Sequence, residues 1–409
     1  MKKLDVNFAR SQFPAFTEPT LEGWAFFESA GGSYPCRQFI DRLTSFYMKN
    51  KVQVNYPYPA SMLAGELMGT SYKRMADYLN VDEQEIHFGP STTQNVYVLA
   101  QAMLPMWKEG DEIIVSCQDH EANSGAWRRL ANRGMTIIKW HVDKETGLLN
   151  SHELENLFSK RTKMVAFPHC SNVIGHINPV REITRMIHEH GALSVVDGVG
   201  YAPHGFPDLK DLDADIYLFS LYKTFGPHLG LMHIKHELAM KMQNQSHFFK
   251  DGIIRSMFTP AGPDHAQIAS ASGILDYFDD LYRHHSEEKI TSHQKRAVLL
   301  NLFREHETAL LENLLDFLRS RNDLRIVGPD TAESRLPIVS IIPDKDLAKV
   351  YAKLTEHKLM LGKGHFYAAR PLMDMGIPIQ PGVIRISFLH YTTLQEIDQL
   401  IEGLNEALN

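Results

Sequence analysis

The stretch that decides the fold runs from Leu193-Ser194-Val195-Val196-Asp197-Gly198 to Phe219-Ser220-Leu221-Tyr222-Lys223. Leu193–Val196 is apolar and β-branched, and it stops at Asp197. Ile216–Phe219 is a second such run, leading into Ser220, Leu221, Tyr222 and Lys223. Runs of this kind read as buried parallel strands, covered on both faces. Each ends in polar residues, where an open α/β sheet has the crevice that takes its ligand. A carboxylate and an amine are therefore expected at two strand ends.

That pair suits pyridoxal phosphate (PLP). A lysine condenses with the aldehyde. An aspartate pairs with the ring nitrogen and keeps it protonated, so that the ring absorbs a carbanion's electrons. The plain alternative is that Asp197 caps a turn and Lys223 is a surface residue. Two positions alone leave both readings open.

Working outward, strands and helices alternate. Strands are predicted at Ile86–Gly89, Glu112–Cys117, Thr136–Trp140, Met164–Phe167 and Leu229–Ile234, with helices between them. This alternation predicts a parallel, helix-covered sheet. After the first strand comes Pro90-Ser91-Thr92-Thr93, then an apolar helix over Val96–Met103. Hydroxyls and free amides at a helix start make a phosphate site, beyond the single N-cap that a helix needs. His120 follows another strand end and could stack on a cofactor ring or move protons, although most histidines in such a chain are structural.

From about residue 270 the pattern changes. Long helices are predicted over Ile268–Leu281 and Ser286–Arg319, the second broken. Strands at Leu324–Val327, Ile338–Ile342 and Val383–Phe388 alternate with two further helices, giving a smaller domain with antiparallel content. Residues 359–382, rich in glycine and proline, read as a long irregular loop, and such loops are usually functional. The expected division is an N-terminal segment at 1–20 packing on the small domain, a large domain at 21–270, and a small domain at 271–409.

Composition narrows the partners. The 409 residues carry 44% hydrophobic and 22% charged residues and a net charge of −7. There is no long basic run, so neither nucleic acid nor an anionic membrane is an expected partner. Cys36, Cys117 and Cys170 are widely spaced, which fits a reducing cytoplasm rather than a disulfide framework. The first residues lack the apolar core of a signal peptide. Histidines 228, 233 and 236 lack metal-site spacing, and no metal is assigned.

Together these stretches resemble the class V aminotransferase family of PLP enzymes, in its cysteine desulfurase and selenocysteine lyase branch. The likeness runs from about residue 20 to the C-terminus. Ser91-Thr92-Thr93 is similar to the family's phosphate-binding turn. Gln118-Asp119-His120-Glu121-Ala122-Asn123 resembles the segment whose histidine stacks on the cofactor ring. Ser171-Asn172-Val173-Ile174-Gly175 resembles the segment whose asparagine contacts cofactor or substrate. Val196-Asp197-Gly198 matches the ring-nitrogen aspartate. Phe219-Ser220-Leu221-Tyr222-Lys223 matches the aldehyde-binding lysine, with Ser220 and Tyr222 near the phosphate. Val383-Ile384-Arg385-Ile386-Ser387 matches the arginine that binds a substrate carboxylate, for which a guanidinium fork is suited. The resemblance implies an α/β fold of PLP-transferase type I with a mostly parallel seven-stranded sheet. It also implies a homodimer and a small amino-acid substrate.

The departures bear on the reaction. Desulfurases carry Gly-His-His-Cys in a mobile loop, and the cysteine attacks sulfur. Here the loop reads Gly364-His365-Phe366-Tyr367, so Tyr367 takes the thiol's position. Without a thiolate there is no persulfide-forming nucleophile. Gly200 stands where relatives place a side chain on the ring hydroxyl. Tyr222 replaces a histidine, and the turn Thr259–His265 blurs a motif that reaches the partner subunit's phosphate. Gly31, His365, Tyr367, Tyr56 and Tyr58 are further pocket candidates. The expected function is a desulfurase-like β-elimination (C–S) lyase, ahead of a class V aminotransferase. An epimerase and a non-catalytic PLP-binding protein are the remaining alternatives.

Overall fold

The computed structural model describes residues 3–409. Its centre is a seven-stranded sheet: β1 (Ile86–Gly89), β2 (Glu112–Ser116), β3 (Thr136–Trp140), β4 (Thr162–Pro168), β5 (Leu193–Asp197), β6 (Ile216–Ser220) and β7 (Gly230–Ile234). The order across the sheet is β1-β7-β6-β5-β4-β2-β3. Only β7 runs against its neighbours; the other pairings are parallel. The inner strands are buried along almost their whole length, which is why they read as continuous apolar runs rather than alternating ones. The carboxyl ends of β2, β4, β5 and β6 open on one rim.

A second, four-stranded antiparallel sheet comprises β8 (Leu324–Val327), β9 (Ile338–Pro343), β10 (Gly362–Gly364) and β11 (Val383–Ser387), in the order β10-β11-β9-β8. Its core is separate from the two clusters that flank the large sheet and includes Leu311, Leu314, Ile341, Ile386 and Leu404. The chain's early residues complete this layer. Ala25–Phe26 pairs in parallel with Leu359–Met360, and Glu28 bridges to Ser387.

Three local expectations are corrected. The helix expected over 268–281 is two, His265–Ala271 and Gly273–His285. They part where Gly273 presses on the Phe39 backbone, since a Cβ there would lie 2.5 Å from Phe39 Cα. The next helix is unbroken. It spans Ser292–Arg319 and starts behind a capping box of Thr291 and Gln294, which supplies a sharp beginning. Residues 359–382 are largely ordered, holding β10 and a helix over Ala369–Asp374. Their strands form by pairing with distant residues, so local glycine content hid them.

The N-terminal segment packs on the core of the large sheet and is tied to the last helix. Phe13 is fully buried among Phe225, Tyr277 and Tyr391, with ring centroids 4.9–5.5 Å away. Arg10 reaches Glu396 at 2.8 Å on the last helix. Burying one phenylalanine in this way contributes roughly 1.5–3 kcal/mol.

The Ser171–Gly175 segment forms the seam between the sheets. Gly175 has φ +78°, and a Cβ on it would lie 2.2 Å from the Ile338 carbonyl. Leu336 N–H donates to the Gly175 carbonyl at 2.9 Å, and Ser340 Oγ–H to the Val173 carbonyl at 2.7 Å.

Candidate active site

The strand-end rim and the small domain enclose a cavity of about 500 Å³. Ser91, Thr92, Thr93, Ser220 and Tyr222 line one part of it. His120, Asp197, Lys223 and Asn172 line the centre, and Gly31, Tyr367 and Arg385 the remainder. Residues from eight separate stretches of chain thus converge. His365 is not part of the lining; its Nδ1 turns back to accept from the Tyr367 N–H at 3.2 Å. Phe366 takes the inward position instead. Tyr56 and Tyr58 are exposed, stack on each other and stay off the cavity.

At the hydroxyl end, the helix Thr92–Met103 begins earlier than its apolar pattern predicts. Ser91 is the N-cap and its Oγ accepts from the Gln94 N–H at 3.2 Å. Thr92 and Thr93 therefore sit in the first turn, where backbone amides lack helical partners and the helix dipole favours an anion.

Asp197 ends β5, and its Oδ1 accepts from the Val199 N–H at 2.8 Å. Burial raises its pKa to about 6, opposed by that bond and by the nearby Lys223. Burial, then the Arg385 guanidinium, brings Lys223 down to about 8, which leaves a sizeable neutral amine fraction near neutrality. Burial also brings His120 down to about 3, followed by the charges of Lys223 and Arg385. The Ala122 N–H donates to His120 Nδ1 at 3.0 Å, so the neutral ring carries its proton on Nε2.

Asp119 adds a second buried carboxyl. Burial and the Asp197 charge push its pKa well up, while Asn123 Nδ2 donates to its Oδ2 at 2.8 Å. Asn123 is held in turn by Trp127 Nε1–H at 3.0 Å. This chain of contacts fixes the backbone that carries His120.

Across the cavity, Arg385 is almost wholly buried. Its Nη2 donates to Glu28 Oε1 at 2.6 Å and its Nη1 to the Asn172 carbonyl at 3.1 Å. The Phe366 ring covers it, 3.9 Å from guanidinium carbon to ring centroid. Phe366 and Tyr367 both have positive φ, at 49° and 57°. Their loop is tied down where Asn172 Nδ2 donates to the Phe366 carbonyl at 3.0 Å and the Glu121 N–H to the Tyr367 carbonyl at 2.8 Å.

Glu28, Asp119, His228 and Phe366 were missed as lining residues in the sequence. Asp119 and Phe366 lie inside motifs already singled out and could have been found there, as could Glu28, three residues before Gly31; His228 carries no such signal. Cys170 also lines the cavity. It is no substitute for a loop thiol. Its Sγ–H donates to the Gly175 carbonyl at 3.2 Å, and burial pushes its pKa up to about 12. Gly200 is explained by crowding, since a Cβ there would lie 2.7 Å from the Cys170 carbonyl. Away from the cavity, ligand atoms of Cys117, His141 and Asp374 lie within 4.8 Å of one another. Arg128 donates to Cys117 Sγ at 3.8 Å, so a cation there would share the space with a guanidinium.

The lining fits PLP. Thr92 Oγ1, Asn172 Oδ1, Asp119 Oδ1 and Arg385 Nε are buried without a protein partner, and all belong to lining residues. Such orphans call for a ligand. The Ser91–Thr93 turn would take a phosphate, Asp197 a ring nitrogen, Lys223 an aldehyde, and His120 a ring face.

A doubly wound sheet with a lysine and an aspartate at adjacent strand ends defines a fold-type I PLP enzyme. Residues 25–400 match the aminotransferase class-V family model, and the chain belongs to that family. It is similar to the aminotransferase-like protein FGM3 of Gibberella zeae, with 31% identity over 98% of each chain. It is 28% identical to a cysteine desulfurase of Escherichia coli, over 98% of this chain and 97% of that one. The apo cysteine desulfurase of Thermococcus onnurineus NA1 shares the fold, with a TM-score of 0.85 at 23% identity, covering 100% and 99% of the two chains. The protein is thus a PLP-dependent lyase or aminotransferase. Among the described residues, no helix is long and apolar enough to cross a membrane.

Proposed function

We propose that the enzyme is a desulfurase-like β-elimination lyase that acts on the carbon–sulfur bond of an amino acid without persulfide chemistry. The observation that carries this is the pairing of a desulfurase-like floor with Tyr367 at the loop position and three buried thiols. Bound PLP supplies a sink for negative charge at the substrate's Cα.

The chain's own residues do the rest. Arg385 receives the α-carboxylate through its planar fork. Lys223, lowered to about 8, has the neutral nitrogen needed to take the Cα proton near neutral pH. Asp197 would hold the ring nitrogen of bound PLP and keep it protonated. Neutral His120 would face the ring without adding charge. Phe366 and Tyr367 line the cavity on the loop side, with Phe366 over the Arg385 guanidinium. Overall, a thioether amino acid and water yield a thiol, a keto acid and ammonia.

An aminotransferase is the second reading, favoured by the name of the Gibberella relative. The two differ in stoichiometry. The holoenzyme is mixed with a pool of amino acids and no keto acid is added. Continuous release of ammonia and keto acid supports elimination. Release of one equivalent of keto acid per site, then arrest, supports the aminotransferase and rejects the lyase.

The proposed assembly is a cytoplasmic homodimer. Tyr47, Met48, Met62 and Leu63 leave large apolar surface exposed on one protomer, the kind of surface that an interface covers. Light scattering of the purified protein at twice the chain mass supports it; a monomeric mass rejects it.

A further inference from the structure

Arg385 is already paired. Its Nη2 donates to Glu28 Oε1 at 2.6 Å, inside the cavity. The Glu28 side chain lines that cavity and is 32% exposed, against 2% for Arg385. The charge that would attract a substrate carboxylate is therefore largely compensated by a carboxylate of the protein itself.

The Glu28 carboxylate fills space that Gly31 leaves open. A Cβ on Gly31 would lie 2.0 Å from Glu28 Oε2 and 2.4 Å from Oε1. A Cβ on Gly362 would lie 2.6 Å from the Phe366 ring and 3.1 Å from Oε1. Neither glycine has the positive φ that would otherwise require glycine, so space rather than backbone conformation accounts for both. Glu28 is also anchored behind the site, because its backbone bridges to Ser387 two residues beyond Arg385. The negative charge extends to Lys223, which Glu28 helps keep protonated.

We propose that Glu28 is a specificity-determining gate on Arg385, an internal carboxylate that an incoming α-carboxylate must displace before the substrate is seated. This rests on the reading of Arg385 as the carboxylate receptor. The consequence is a site that binds simple amino acids weakly. It reserves tight binding for substrates whose remaining contacts offset the displacement. Removing the internal charge leaves Arg385 with an unmatched fork, so carboxylate ligands should gain while ligands without a carboxylate should not. A purely structural role predicts the opposite, since an Arg385 loosened from its partner would bind carboxylates less well.

The test uses PLP-loaded protein and two small ligands, 2-methylalanine and its amide. 2-Methylalanine has no Cα proton, so titration of the cofactor's visible spectrum reports binding without proton abstraction. Glu28→Gln keeps shape and hydrogen bonding while removing charge. It should tighten 2-methylalanine binding about tenfold, the scale of one charge-assisted hydrogen bond, and leave the amide within about twofold. Unchanged or weaker binding of 2-methylalanine, or no binding by either protein, overturns the gate. An equal gain for the amide also overturns it. Arg385→Gln, alone and combined with Glu28→Gln, separates the two claims. If the tenfold gain persists in the double variant, Arg385 is not the receptor and the functional reading fails with it. If Arg385→Gln weakens carboxylate binding while Glu28→Gln gains nothing, only the gate fails.

Discussion

The floor of the cavity and its far wall are built differently. The floor consists of strand ends. Asp197 and Ser220 close β5 and β6, and His120 follows β2, all on one sheet whose inner strands are buried along almost their whole length. The wall consists of a loop with two positive-φ residues, Phe366 and Tyr367, a short edge strand at Gly362–Gly364, and one arginine shared with Glu28. The floor is suited to holding a cofactor, because hydrogen-bonded strands allow little play. The wall is suited to choosing a substrate, because loops change without disturbing a core.

The largest effect expected is on the floor. Lys223→Ala should end covalent trapping of PLP by borohydride and lower turnover about a thousandfold, within the range for losing a catalytic acid–base group. Trapping at wild-type yield would remove Lys223 from the reaction. On the wall, Arg385→Gln should lower kcat/KM by about 10- to 100-fold, mainly through KM, as expected for losing a charged hydrogen bond. A loss carried entirely by kcat would move Arg385 to the floor's side of the comparison.

The pH dependence sharpens the floor further. Capture of PLP by apoprotein needs the neutral amine of Lys223, whose pKa is lowered to about 8. Below that value the neutral fraction grows about tenfold per pH unit, so the capture rate should rise as steeply, then level off above it. Stopped-flow mixing checks this. A rate still climbing at pH 10 would mean an ordinary lysine. The smallest effect is on the wall. Phe366→Ala removes the ring over Arg385, a cation–π contact of about 1 kcal/mol, and should raise KM about fivefold. No change in KM would leave the ring a lid rather than a support for the guanidinium.

The same contrast explains what was readable in the chain. That Asp197, Lys223, His120 and the Ser91–Thr93 turn share one rim was legible because each follows a strand whose pattern is local. The wall was less legible. His365 was expected to line the cavity, yet its ring bonds back to Tyr367 and Phe366 turns inward. The two positive φ angles that decide this are set by ties to Asn172 and Glu121, far away in sequence. Residues 359–382 looked irregular because their strands exist only by pairing with Ala25–Phe26 and Val383–Arg385.

Sequence alone determined the α/β alternation and the absence of a cysteine from residues 359–382, because apolar periodicity and residue identity are properties of short stretches. Tertiary structure alone decided that Glu28 meets Arg385. The two lie 357 residues apart and are joined only when an early bridge residue packs beside the last strand. No local pattern encodes such a contact, since it depends on a bridge between distant segments rather than on either segment's own conformation.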